Sequence, residues 1–300
     1  MTWGILAGLL AGALWGLVFV APRMTPGLSS LDLAAGRFIA YGVMSVAVLC
    51  LMPGRRRRPT LAQMGAALGL SVLGFTGYYW LLVLAIRDAG TEVPTLIIGT
   101  IPLWVMLLGK PLGLRWATLL PGLALTAAGL ALMMVATHGG AAASSASHPP
   151  DFLRGVACAV AAMACWTAFA LGNATWLKKH TEVAATDWAN WLGVATGGGA
   201  LLLWLALGTP AHELLQHPGF AQSAAVCVAT GLGSAWLATI LWNIASQRLA
   251  ASLCGQLIVS ETVFALIYSF VWDGHWPTPL QLTACVLFTL GILFSIKAHR

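Results

Sequence analysis

The chain has 300 residues, of which 59% are hydrophobic and only 8% are charged. A water-soluble domain carries about 25% charged residues, so this chain cannot cover itself with a polar surface. The composition excludes a soluble globular protein and predicts the lipid bilayer as the main partner. The formal net charge of +6 would suggest nucleic acid in a soluble protein. Here the basic residues lie between apolar segments, and we expect no nucleic-acid partner.

Ten apolar segments follow one another along the chain, separated by Pro, Gly and charged residues. A helix that spans a bilayer needs roughly 20 mostly apolar residues, and few of the segments show the alternation of a membrane β-barrel. We therefore predict an all-α integral membrane protein of ten transmembrane helices. They cover about 3–21, 31–52, 62–86, 91–110, 114–136, 153–177, 186–208, 220–245, 251–272 and 277–297.

Lysine and arginine concentrate in alternate loops, which predicts the orientation. If the N-terminus is cytoplasmic, the external loops hold three basic residues, Arg23, Arg87 and Arg154. The cytoplasmic loops then hold eleven, including the run Arg55–Arg58. Because cytoplasmic loops carry the excess of basic residues, both termini are predicted to be cytoplasmic. Arg55–Arg58 is then a topology signal.

The sequence repeats itself with five segments in each half. Residues 137–151 form a polar stretch typical of a flexible linker, here external, between a first repeat over 1–136 and a second over 152–300. An offset of 151 places Trp15 on Trp166, and an offset of 160 places Thr100 on Ser260. An offset of 162 aligns the fifth and tenth segments. Because five is odd, the two copies must cross the membrane in opposite directions.

An inverted repeat around a midplane site is the architecture of many secondary transporters. A membrane enzyme would need a polar catalytic constellation at membrane depth, and a channel would show a charged ring or a carbonyl filter. Neither pattern is present, so both are weaker alternatives. The chain contains no phosphate-binding or dinucleotide-binding glycine motif, and the spacing of His212 and His217 does not fit a zinc helix. We expect no enzymatic activity, no cofactor and no metal.

Several motifs resemble a known family. The chain carries Gly12-Ala13-Leu14-Trp15-Gly16 in the first segment, an echo at Trp166, Pro102-Leu103-Trp104 in the fourth and Ser260-Glu261 in the ninth. With ten helices in two halves, this resembles the drug/metabolite transporter superfamily of the EamA type. The run Thr91-Glu92-Val93 that leads to Pro102 is similar to the YddG-type aromatic amino acid exporters. The resemblance implies a multi-pass protein of the bacterial inner membrane that exports small metabolites.

Charge gives the first site candidates, because an ionisable group at mid-bilayer is costly unless it has a function or a partner. Glu261 lies about ten residues into its helix and could bind a substrate ammonium or carry a coupling proton. It could equally be a structural, hydrogen-bonded group. Arg37 is a secondary candidate that could attract a substrate carboxylate, or extend outward towards Asp32.

Aromatic residues give the second set, since the chain has fourteen tryptophans. Trp188 and five others near helix ends fit the interfacial belt. Deeper indoles need a hydrogen-bond partner and should face the bundle or a wet cavity. The predicted cavity residues are Trp15, Tyr78, Tyr79, Trp80, Trp104 and Trp166.

Polar side chains complete the set: Thr100, Gln256 and Ser260 are predicted near Glu261. Pro102 predicts a bend in the fourth helix. Glycines spaced by four, such as Gly4 to Gly16 and Gly65 with Gly69, predict close helix packing.

The combined prediction is a secondary transporter that exports aromatic amino acids by alternating access, with protons as a possible coupling ion. The alternative cargoes are purines, polar amino acids and organic cations.

Overall fold

The computed structural model of the protein describes residues 1–51, 59–90, 92–138, 151–274 and 276–299. These residues form helices and short connections, and none of them lies in a β-strand. The all-α prediction is confirmed for this part of the chain. Arg55–Arg58 and most of the predicted linker 137–151 lie outside the described residues.

The first half contains eight helices. Their bounds are α1 Thr2–Gly16, α2 Ala21–Met24, α3 Ser30–Leu51, α4 Leu61–Ser71, α5 Gly77–Ala89, α6 Glu92–Gly99, α7 Ile101–Leu108 and α8 Trp116–His138. The second half contains seven. Their bounds are α9 Phe152–Lys179, α10 Ala185–Leu207, α11 Ala211–Gln216, α12 Phe220–Thr230, α13 Ala238–Arg248, α14 Ala251–Asp273 and α15 Pro279–Ala298.

Nine helical stretches among the described residues are long and apolar enough to cross a membrane. The fourth predicted segment is shorter, an apolar stretch over Val93–Leu108 that is broken at Thr100. Pro102 lies in the first turn of α7. Proline cannot donate a backbone hydrogen bond and disfavours helix at the preceding residue. The bend predicted near Pro102 is therefore present as a break between α6 and α7.

Two long stretches contain a π-helical turn near their middle. Val72–Thr76 joins α4 to α5, and Gly231–Leu237 joins α12 to α13. Each turn holds a glycine against a neighbouring helix: Gly74 faces the ring of Phe169, and Gly231 faces the backbone carbonyl of Arg37. A π turn adds a residue to a helix and rotates the side chains that follow. The turns thus set the direction in which α5 and α13 present their residues.

The helices pack in pairs drawn from the two halves. The most extensive contacts are α8 with α15, α3 with α10, α5 with α9, α1 with α14, α1 with α13, and α7 with α14. The largest core cluster lies where α1, α7, α13 and α14 meet, and Trp15, Tyr78 and Trp166 pack against it.

Small residues allow these helices to approach closely. A Cβ atom on Gly42 of α3 would lie 2.7 Å from the Cα of Gly197 in α10. Gly4, Gly8, Gly12 and Gly16 all face the α13–α14 side of the bundle, as their spacing predicts. Gly65 and Gly69 differ, because a Cβ on either would meet no atom within 4 Å. Their predicted packing role is wrong for this structure.

Candidate functional site

Three tryptophans meet in the interior of the bundle. The ring centroids of Trp15 and Trp166 lie 6.4 Å apart in an edge-to-face arrangement. Trp242 lies 5.3 Å from Trp15 and 6.4 Å from Trp166. Trp15 and Trp166, which the offset of 151 superposes, are therefore in contact with each other. Both are half-buried, whereas Trp242 is only 1% exposed, so the three rings form one wall with two accessible members.

A series of contacting aromatic rings continues from the three tryptophans towards α3. Trp166 contacts Phe169 at 6.0 Å, Phe169 contacts Phe75 at 5.3 Å, and Phe75 contacts Phe38 at 5.7 Å. Tyr79 follows at 6.2 Å from Phe38. All four of these pairs are edge-to-face, an arrangement favoured by ring quadrupoles. The rings join the tryptophans to the neighbourhood of Arg37.

Arg37 of α3 lies at the other end of this series of aromatic rings. Its guanidinium carbon lies 4.5 Å from the centroid of the Phe38 ring, within the range of a cation–π contact. The described residues provide no ion pair within 4 Å of its guanidinium and no acceptor for its buried Nε. The predicted extension towards Asp32 is absent, since Asp32 binds Ser29 and Thr209 instead.

Glu261 of α14 is the acidic counterpart of Arg37 in the interior of the bundle. It is half-buried about midway along its helix. Gly12 and Gly16 of α1 pack against the backbone at Glu261, so the glycine face of α1 brings this part of α14 to the centre of the bundle. Arg37 lies about two turns into α3 and Glu261 about midway along α14, and among the described residues no hydrogen bond or ion pair joins the two side chains.

The consecutive residues Tyr78, Tyr79 and Trp80 do not act as one group, because neighbours on a helix point about 100° apart. Tyr78 packs against the central core. Tyr79 packs beside Phe38, and its hydroxyl donates to the Ser30 carbonyl at 2.6 Å. Trp80 is half-buried and lies outside both clusters.

Thr100 and Trp104 form a separate pair at the break in the fourth segment. The Trp104 indole N–H donates to the Thr100 hydroxyl at 3.2 Å, and that hydroxyl donates to the Ile97 carbonyl at 2.6 Å. It also lies 3.2 Å from the Met163 sulfur on α9. Trp104 is 43% exposed, so it is the most open of the predicted aromatic residues.

Gln256 and Ser260 lie in helix interfaces. The Gln256 amide donates to Thr126 at 2.8 Å and accepts from Ser295 at 3.1 Å, which ties α14 to α8 and α15. Ser260 donates to the Leu257 carbonyl at 2.7 Å and faces Gly12. The structure does not bring either side chain into the cluster around Arg37.

Sequence reasoning did not single out Trp242, Phe38, Phe75 or Phe169 as site residues. Trp242 lies near the end of an apolar run, and its exceptional burial depends on α1 and α9 packing over it. Trp188 lies near the start of α10, as expected, but it does not face outward. It is fully buried, stacks on Trp176 at 3.5 Å and donates to Asn173 at 2.7 Å. The Asn173–Asn243 hydrogen bond of 3.0 Å extends that structural network.

Comparison with known proteins places this chain in a family. Residues 2–137 match the EamA-like transporter family. The inner membrane protein YtfF of Escherichia coli strain K12 is 30% identical over 314 residues, covering 98% of this chain and 95% of YtfF. The chain belongs to the EamA-like transporter family. Its resemblance to the drug/metabolite transporter superfamily is thereby confirmed.

A crystal structure of a second protein shares the fold. It matches with a TM-score of 0.77 at 21% sequence identity, over 100% of this chain and 98% of that chain. Members of the EamA-like family are membrane transporters of small molecules. The interior cluster of this family member is accordingly a candidate site for cargo.

Proposed function

We propose that this EamA-like protein is a secondary transporter of the bacterial inner membrane that exports aromatic amino acids by alternating access. One observation carries the substrate class. Arg37 and Glu261 are an arginine and a glutamate within the bundle that have no ion-pair partner in the described part of the chain, and Arg37 adjoins a continuous set of aromatic rings. A zwitterion with a flat ring is the cargo that would satisfy all three features at once.

Arg37 is the proposed partner of the substrate carboxylate. A guanidinium presents several N–H donors in a planar fork that matches a carboxylate. Its buried Nε lacks an acceptor among the described residues, and an unsatisfied buried donor is costly. A bound carboxylate would supply that acceptor. The Phe38 ring below the guanidinium fixes its plane.

Glu261 is the proposed partner of the substrate ammonium, and also the proposed proton carrier if transport is coupled. A carboxylate in the interior of a membrane protein is unfavourable when it is charged and alone. Either an ammonium or a proton relieves that cost. Competition between the two for one carboxylate would couple substrate release to protonation.

The aromatic wall supports the preference for a ring. Trp15 and Trp166 are accessible while Trp242 is buried behind them, so the first two can contact cargo and the third can hold them in place. Tyr78, half-buried between the charges and the core, completes the proposed site.

Equivalent contacts in the two halves support the inverted repeat that alternating access needs. Gly129 packs against Phe288, and Gly291 packs against Thr126. The offset of 162 residues converts one contact into the other. The π turns at Val72–Thr76 and Gly231–Leu237 are likewise related by an offset of about 160. We accordingly propose ten membrane segments in a 5+5 inverted arrangement, with the repeats at 1–136 and 152–300.

Lysine and arginine placement supports cytoplasmic termini, and the inner-membrane location follows that of YtfF. In this orientation α1 begins at the cytoplasmic end, and α5 ends at the external end.

Uptake into proteoliposomes tests the proposal. Radiolabelled phenylalanine would be competed by three unlabelled compounds: tryptophan, phenethylamine, which lacks the carboxylate, and phenylpropionate, which lacks the ammonium. We expect competition from tryptophan alone. Arg37→Gln should abolish uptake and Arg37→Lys should restore part of it, while Arg115→Gln, at an exposed loop position, should match the parent.

Other outcomes identify the alternatives. Competition by phenethylamine equal to that of tryptophan would indicate an organic-cation transporter. Uptake of a purine or of threonine in place of phenylalanine would keep the transporter and overturn the aromatic substrate. Normal uptake in Arg37→Gln would remove the carboxylate site.

A further inference from the structure

The two ends of the bundle contain equivalent helix contacts. At the end where α5 stops, Gly155 of α9 packs on Asp88 and Ala89. At the opposite end, Gly4 of α1 packs on Arg248 and Leu249. The offset of 151 relates Gly4 to Gly155, and the offset of 160 relates Asp88 and Ala89 to Arg248 and Leu249. These are therefore the same contact, made once in each half.

The charges on the two contacts differ. Asp88 is only 4% exposed, and its two carboxylate oxygens accept from Nε of Arg154 at 2.7 Å and from Nε of Arg87 at 2.9 Å. The Arg154 bond joins α5 to α9. The counterparts of Asp88 and Arg154 in the other half are Arg248 and Trp3. Trp3 is 71% exposed, and Arg248 has no ion pair within the described part of the chain.

The end without the ion pair also contains space. A cavity of about 390 Å³ lies there, lined by residues that include Met1, Arg248, Leu249, Leu253 and His299. Two contacts that are equivalent in backbone packing thus differ in their chemistry. One is held by a shielded, charge-assisted hydrogen bond, and such bonds are roughly twice as strong as neutral ones. The other borders an open volume.

We propose that the Asp88–Arg154 ion pair is a latch that holds α5 against α9 and must break before cargo can exchange at that end. This inference rests on the proposed alternating-access transport, in which each end opens in turn. Asp88 is the central element of the latch because it binds both arginines. Arg87 keeps the carboxylate paired on its own helix when Arg154 leaves. Opening therefore does not leave a charge alone in the helix interface, which would otherwise be costly.

Thiol labelling measures the latch directly. Ala85 is fully buried one helical turn before Ala89, on the same face of α5. In a variant without native cysteines, Ala85→Cys should react slowly with a membrane-impermeant maleimide applied from the external side. Adding Asp88→Asn or Arg154→Gln should raise the labelling rate about fivefold or more, as expected when a charge-assisted hydrogen bond is lost.

Asp151→Asn is the matched control. Asp151 is 53% exposed and pairs with Arg154 at 3.2 Å, so its loss removes an acid beside the same arginine and leaves the Asp88 bond. Labelling in this variant should equal that of the parent. Equal labelling in Asp88→Asn, Arg154→Gln and Asp151→Asn would overturn the latch. Using both latch variants guards against one that does not fold.

A cross-link separates the latch from the transport proposal. An Ala89→Cys/Gly155→Cys pair, oxidised to a disulfide, should prevent labelling at position 85 and stop phenylalanine uptake, and a reducing agent should restore both. If the parent takes up no phenylalanine while the labelling changes appear, the proposed substrate fails, and the ion pair still holds α5 against α9. If the parent transports and the cross-linked protein transports equally well, the latch fails.

Discussion

Glu261 and Arg37 are held inside the bundle by small residues on other helices. Gly12 and Gly16 of α1 allow α14 to approach at Glu261, and Gly231 in the π turn packs on the carbonyl of Arg37. Two glycine contacts from different helices therefore hold the backbone at both residues inside the bundle. Neither side chain has an ion-pair partner among the described residues, which is the condition for a cargo or a proton to bind.

Replacing Glu261 by Gln should lower phenylalanine uptake at least about tenfold. A hydrogen bond to a charged group is worth about 1.5–3 kcal/mol, and about 1.4 kcal/mol corresponds to a factor of ten. The remaining uptake should no longer change with pH if Glu261 is the proton carrier. Proteoliposome uptake from acid to neutral pH measures both effects. Glu213→Gln, at an exposed position of α11, is the control, and a pH profile unchanged in Glu261→Gln would exclude proton transfer at this carboxylate.

The sequence predicted which side chains lie deep but not where they point. Trp15 and Trp166 could be paired because the repeat relates them, and their contact is observed. Gln256 and Ser260 could not be separated from Glu261 in this way. They share its helix, and their directions depend on Thr126, Ser295 and Gly12, which lie far away in the chain. Trp242 was missed for the same reason.

At the scale of the helices, close packing depends on which glycines face a neighbour. The face of α3 at Gly42 meets Gly197 of α10 almost backbone to backbone, whereas Gly69 of α4 meets nothing within 4 Å. Both lie in apolar helices and both belong to small-residue patterns. Only the packing of the folded bundle shows which of these two glycines contacts a neighbouring helix. The π turns could not be predicted from the sequence either, because each depends on a glycine contact with a helix that is distant in the chain.

Replacing Gly42 by Ala should destabilise the protein. The new methyl group would lie 2.7 Å from the Gly197 Cα, and overpacking of this kind costs about 1–3 kcal/mol. Gly69→Ala should be neutral or more stable by about 0.5–1 kcal/mol, because alanine suits a helix better than glycine. Thermal unfolding in detergent compares the two variants with the parent. Equal unfolding temperatures for Gly42→Ala and Gly69→Ala would contradict the packing described for α3 and α10.

For the whole molecule, the hydrophobic pattern predicted an all-helical membrane protein, and the order of the segments agrees with the helices observed. The fourth segment is the exception in detail: the sequence predicted a bend, and the structure divides it into α6 and α7. The contacts of Gly4 and Gly155 show what the sequence could not. The two glycines are identical, but the residues they pack on, Asp88 and Ala89 in one half and Arg248 and Leu249 in the other, differ, so only their positions reveal the equivalence.

The proposed orientation leads to a prediction about the loops. Thr181 lies between α9 and α10, and His212 lies in α11 between α10 and α12, and both are exposed. If the termini are cytoplasmic, a cysteine at position 212 should react with an impermeant maleimide in intact cells. A cysteine at position 181 should react only after the membrane is opened, because Lys178 and Lys179 keep this loop on the cytoplasmic side. The reverse labelling result would show that the termini are external, and each end of the bundle would then face the opposite side of the membrane. The latch formed by Asp88 and Arg154 would then face the cytoplasm. The proposed inverted repeat does not depend on this result, because the equivalent contacts are the same whichever side each end faces.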